Sequence, residues 1–130
     1  MNEYFEKVKD YLLELDFNII QEDEAEGVFV VENEDQGMTN IVLIVADPVL
    51  IVEQYLCDIK DVSASVFQQL LMKNRDIIYG AFALDESGQR LYFRNTHECE
   101  NLDLPELEAT LNSLAILLSE YSDELIQISK

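Results

Sequence analysis

Between residues 2 and 16 the apolar side chains fall at Tyr4, Phe5, Val8, Tyr11, Leu12 and Leu15, while Glu3, Glu6, Lys7, Lys9, Asp10 and Glu14 fill the positions between. Steps of three and four put the apolar set on one face of a helix, so the pattern predicts a surface helix from Asn2 to Asp16. Beyond it the rhythm shortens to runs of β-branched and aromatic residues separated by polar, glycine-containing breaks, the punctuation of antiparallel strands. Four strands are expected: Phe17 to Gln21, Val28 to Glu32, Met38 to Ala46 and Val49 to Asp58. The breaks are residues 22–27, residues 33–37 and the pair Asp47-Pro48, where proline has no N–H for a ladder. The run Ile41-Val42-Leu43-Ile44-Val45 is apolar on both faces and belongs near the centre of a sheet with cover on each side.

A short helix is predicted from Ser63 to Asn74, with Ser65 and Gln68 spaced as a capping box and Val66, Phe67, Leu70 and Leu71 along one side. Ile77 to Leu84 and Arg90 to Asn95 then flank Asp85-Glu86-Ser87-Gly88, a stretch suited to a type I turn that closes on a left-handed glycine. The final element runs from Leu104 to Ile128, with Asp103 as its cap, Pro105 in its first turn and Glu106 three residues after the cap. Leu104, Leu107, Leu111, Leu114, Leu118, Tyr121, Leu125 and Ile128 alternate in steps of three and four, a heptad pattern open to a partner helix. Ala115, Ile116 and Leu117 widen the stripe toward what a helix packed on its own sheet shows. The expected class is therefore α+β: helix, antiparallel strands, short helix, β-hairpin and long C-terminal helix. With no internal repeat or low-complexity linker, residues 1–130 read as one domain.

Charge changes the picture of what such a domain meets. Eight Lys and Arg stand against 27 Asp and Glu, a formal net charge of −19. That field repels phosphate backbones and anionic membranes, whose binding rests on cationic side chains, so neither nucleic acid nor a membrane is the expected partner. The acids suit either a plain solvated surface or a basic site on another protein. Cys57 and Cys99 stand apart without a CxxC pair and are read as reduced thiols. The N-terminus begins an amphipathic helix instead of a signal peptide, and no apolar run reaches membrane-spanning length, so the chain is expected in the cytoplasm.

Candidate chemistry is sparse. His97, the one histidine, lies in Thr96-His97-Glu98-Cys99-Glu100, read as a polar loop between the hairpin and the last helix. A single His-x-Cys pair falls short of the two ligand pairs of a zinc site and lacks the orienting group of a Cys-His nucleophile. Pairs among 27 carboxylates carry no specificity. Asp85 to Gly88 and residues 22–26 hold oxygens but not the twelve-residue calcium loop. Four glycines, dispersed, cradle no phosphate. No catalytic, cofactor-binding or metal-binding residue and no small-molecule substrate is implied.

What remains is surface. The strands from Met38 to Ala46 and Val49 to Asp58 carry apolar side chains on both sides, and three helices fall short of covering a sheet of about six strands. If the two terminal helices share one face, the short middle helix cannot shield the other, and an apolar face of that kind is buried by a partner or by a second copy. The order of elements, together with Val49-Leu50-Ile51-Val52-Glu53-Gln54-Tyr55-Leu56, Lys73-Asn74-Arg75, Tyr79-Gly80-Ala81-Phe82-Ala83-Leu84, Arg90-Leu91-Tyr92-Phe93-Arg94 and the leucine-rich closing helix, resembles the YbjN-like family of bacterial sensory-transduction regulators. The fold of that family is similar to the type III secretion chaperones, such as the Tir chaperone. The resemblance implies a non-enzymatic, commonly dimeric domain that holds a protein segment on its sheet or helix surface, with Val66, Phe67, Leu70 and Leu71 as the expected dimer or partner contacts. The alternative is an acidic regulator that occupies a basic site on its partner by imitating nucleic acid.

Overall fold

The computed structural model describes residues 3–130. Helix α1 (Glu3–Glu14) buries Phe5, Val8 and Leu12, one residue per turn on the predicted face. It stops where Asp16 turns left-handed (φ 63°) and the Phe17 N–H donates back to the Leu12 carbonyl at 3.0 Å, a Schellman-like closure. Six antiparallel strands follow: β1 (Asn18–Asp23), β2 (Val28–Asn33), β3 (Met38–Ala46), β4 (Val49–Asp58), β5 (Ala81–Leu84) and β6 (Arg90–Glu98). They form one sheet in the order β1-β2-β3-β4-β6-β5.

The strands β3 and β4 have the expected bounds. The other four strands differ, β2 only in ending one residue later, at Asn33. Strand β1 starts one residue later than expected and bulges between Ile19 and Gln21. Strand β5 holds only four residues, because Gly80 bends the chain (φ +99°) and the Phe93 ring occupies the place where a Cβ would stand. Strand β6 runs on through Thr96, His97 and Glu98, paired with Ile51, Leu50 and Val49 of β4. These polar residues read as loop from sequence, and a long-range ladder makes them strand.

Helix α2 (Ala64–Asn74) is capped by Ser63, whose Oγ accepts from the Val66 N–H at 3.3 Å, so the expected Ser65 box is displaced by two residues. Helix α3 (Leu104–Glu120) starts as expected, with Asp103 Oδ1 accepting from the Glu106 N–H at 2.9 Å. It does not continue to Ile128. The axis breaks at Tyr121, whose ring packs on Phe82 at 5.8 Å and lies under the Lys73 ammonium at 5.2 Å. Helix α4 (Ser122–Ile128) follows, and the Lys60 N–H donates to the Ile128 carbonyl at 2.8 Å. Leu125 and Ile128 of α4 line a cleft together with Val66 and Leu70 of α2.

All four helices meet the same face of the sheet. Phe5 of α1 stacks on Phe29 of β2 with ring centroids 4.2 Å apart. Thr110 of α3 reaches His97 and Asn95 of β6. Leu70 of α2 and Leu125 and Ile128 of α4 surround Phe82 of β5. Between helices and sheet lie Phe29, Leu43, Leu50, Val52, Leu91 and Phe93, all essentially without solvent contact. At the β5 rim, Asn74 accepts from the Phe82 N–H at 2.7 Å and donates to the Phe82 carbonyl at 3.2 Å. An amide side chain thus occupies the place of a seventh strand there.

Candidate functional site

Because side chains alternate across a strand, the residues next to the buried ones point away from the helices. The register gathers them into rows. One row crosses five strands as Asp23, Val28, Ile44, Ile51 and Thr96. The next reads Gln21, Val30, Val42, Glu53, Arg94 and Ala81. Val49, opposite Ala46 and Glu98, adds a sixth aliphatic residue. Val28, Val30, Val42, Ile44, Val49 and Ile51 are half-buried and lie outside the core cluster on which the helices pack. The two-sided apolar character of β3 and β4 therefore covers one face with helices and leaves an aliphatic strip on the other. Val28 and Val30 extend that strip beyond the two strands singled out in sequence; their signal was the unbroken run Val28-Phe29-Val30-Val31.

The strip has a charged frame. Its two cations are already engaged: Arg94 Nη1 lies 2.7 Å from Glu53 Oε1, and Arg90 lies 4.0 Å from Asp58 and 3.9 Å from Asp85. Asp23, Glu32 and Glu98 stand at the margins, and among the described residues none has a Lys or Arg within ion-pair distance. Tyr55 and Tyr92, edge to face at 5.7 Å, close the strip on the β4–β6 side. The Tyr55 hydroxyl donates to Asp58 Oδ1 at 2.7 Å, and that bond holds its ionisation above the ordinary phenol range.

The expected contacts on the middle helix divide between two roles. Val66, Phe67 and Leu70 are half-buried and pack on the core, whereas Leu71 is 70% exposed beside exposed Met72 and Leu84. Phe67, Leu70 and Leu71 line a hydrophobic cleft of about 270 Å³ with Phe82, Leu84 and Leu91. Val66 and Leu70 also line the cleft of about 460 Å³ between α2 and α4.

His97 is not in a polar loop. It lies on the inner face of β6, 8% exposed, with Nε2 2.7 Å from Thr110 Oγ1 and Nδ1 3.7 Å from Glu106 Oε2. Asn95 Nδ2 donates to the same Thr110 oxygen at 2.8 Å, so the hydroxyl proton is free to donate to Nε2 of a neutral ring. Burial holds the imidazole below its ordinary value, partly opposed by the Glu106 charge. The cluster ties α3 to β6. Cys99 and Cys57 carry thiols that burial pushes upward, away from the reactive thiolate. Among the described residues, no three His, Cys, Asp or Glu side chains converge as a metal site, and no helix is long and apolar enough to cross a membrane.

The CesT_Tir_1 family model matches residues 1–130. No curated protein matches the chain. Among solved structures it is similar to the HopA1–SchA chaperone–effector complex, with TM-score 0.66 and 15% identity over 92% of this chain and 94% of that one. It is similar to YbjN from E. coli, with TM-score 0.64 and 8% identity over 92% and 91% of the two chains. The Yersinia pestis type III secretion chaperone SycH in complex with a stable fragment of YscM2 gives 0.60 and 16% over 97% and 99%. At these identities the likeness is one of fold, and the fold is that of the type III secretion chaperones.

Proposed function

The chain belongs to the CesT_Tir_1 family, and from that premise we propose that it is a non-catalytic, chaperone-like or adaptor domain of the cytoplasm. It holds a segment of another protein on the bare aliphatic strip of its sheet and pairs with a second copy through α2. The observation that supports this reading most directly is the one-sided distribution of helices: six aliphatic side chains on three adjacent strands have no helix over them. An apolar layer of a sheet is stable when another layer lies on it, and the helices among the described residues pack on the other face. The similar fold in the HopA1–SchA and SycH complexes, each with a protein partner, agrees with that use.

Pairing through α2 rests on Leu71, Met72 and Leu84, exposed together at the end of the sheet away from β1. Light scattering coupled to size exclusion is expected to give twice the chain mass of 15.0 kDa and to return Leu71→Glu to the single mass. A single mass for the unaltered chain at all concentrations would remove the pairing. For the client, co-purification from the native cell is expected to recover one protein in stoichiometric amount with the unaltered chain and to lose it with Ile44→Lys. The competing reading, imitation of nucleic acid, calls for carboxylates in a row at phosphate spacing. On the bare face the acids stand around an apolar strip instead.

A further inference from the structure

A face of a sheet differs from its edge in what it offers a ligand. The edge presents backbone N–H and C=O groups, whereas the face presents side chains only. A segment lying on the aliphatic strip must therefore satisfy its own backbone, and an α-helix does so internally. The dimensions agree. Three strands at about 4.8 Å spacing, each contributing two outward residues, give a strip on the order of 10 Å by 10 Å. That is the footprint of about two turns of one helix. The inner face of the same sheet is covered in this manner by α1, whose buried residues are Phe5, Val8 and Leu12.

The frame fixes the charge of that helix. Asp23, Glu32 and Glu98 lie at the margins without cationic partners among the described residues, and Arg90 and Arg94 are held by Asp58, Asp85 and Glu53. A second copy of this chain stacked face to face would oppose the same acids against each other, within a net charge of −19 on each copy. Building on the reading above, we infer that the bare face takes an amphipathic helix of another protein, with an apolar stripe at i, i+3, i+4 and i+7 and Lys or Arg flanking it.

The experiment uses the full chain and three fluorescein-labelled synthetic peptides of about 14 residues. The first carries Leu at i, i+3, i+4 and i+7 with Lys at the flanking positions; the second replaces Lys by Glu; the third is the first with proline at its centre. In anisotropy titrations the Lys peptide is expected to bind about tenfold or more tighter than either of the others, and to weaken as salt rises past the screening range. Ile44→Lys should abolish binding. The double variant Glu32→Lys with Glu98→Lys, which leaves the core untouched, should weaken the Lys peptide and strengthen the Glu peptide. Equal binding of Lys and Glu peptides overturns the charge assignment, and equal binding of the proline peptide overturns the helix, each leaving the protein-binding reading in place. Binding that Ile44→Lys spares and Leu71→Glu removes relocates the surface to α2 and overturns the proposal. If no peptide binds, the proposal fails, while the protein-binding reading still stands or falls with the co-purification result.

Discussion

His97 shows how one buried ring makes stability depend on acidity. Its folded-state ionisation lies below the ordinary value near 6.5, because the ring is buried between β6 and α3, and the Glu106 charge opposes that lowering only in part. The unfolded chain therefore binds the proton more readily. Its cost to the fold is absent above that ordinary value and appears as pH falls toward the lowered one. Urea unfolding at pH 7, 6 and 5 is expected to show the unaltered chain losing stability relative to His97→Gln, which keeps a polar side chain beside Thr110. The comparison removes the opposite trend from protonating the many carboxylates. A second residue-scale test concerns Asn74. Asn74→Ala leaves both backbone groups of Phe82 without their partner, and the expected loss in urea unfolding is about 1–3 kcal/mol. Asn74→Asp keeps the acceptor, loses the donor and should fall between.

Among the elements, those defined by their own period were legible and those defined by a distant neighbour were not. Apolar, β-branched runs and the breaks between them delimit β3 and β4, and the spacing of Phe5, Val8 and Leu12 delimits the buried face of α1. The far end of β6 escaped because Thr96, His97 and Glu98 are polar, and only their ladder with β4, more than forty residues away, makes them strand. The break at Tyr121 escaped for a related reason: the heptad spacing runs through it without proline or glycine, and the contact with Phe82 and Lys73 bends the axis. Of the candidate site, the shortfall of cover was legible in the two-sided strands. The confinement of every helix to one face needed the three-dimensional arrangement. The shortening of β5 yields a direct test. Gly80→Ala places a Cβ into the Phe93 ring and strains a positive φ, so the thermal midpoint should drop by an amount equivalent to more than about 1 kcal/mol.

Taken whole, the molecule carries 19 more negative than positive charges. Self-repulsion of that size favours expansion, so raising sodium chloride from low to moderate concentration is expected to increase the urea midpoint of the free chain. The same salt should weaken the Lys peptide on the bare face, and the opposite signs separate folding from binding. One further consequence follows from the amide that Asn74 lays along β5. Growth of a fibril by edge pairing requires each subunit to be open at both rims. Here one rim is a four-residue strand whose Phe82 N–H and C=O are already taken by a side chain of the same molecule, and the other, β1, is bulged. Strand exchange between copies can therefore join two molecules at most before it runs out of ends, a safeguard for a protein whose remaining surface invites contact.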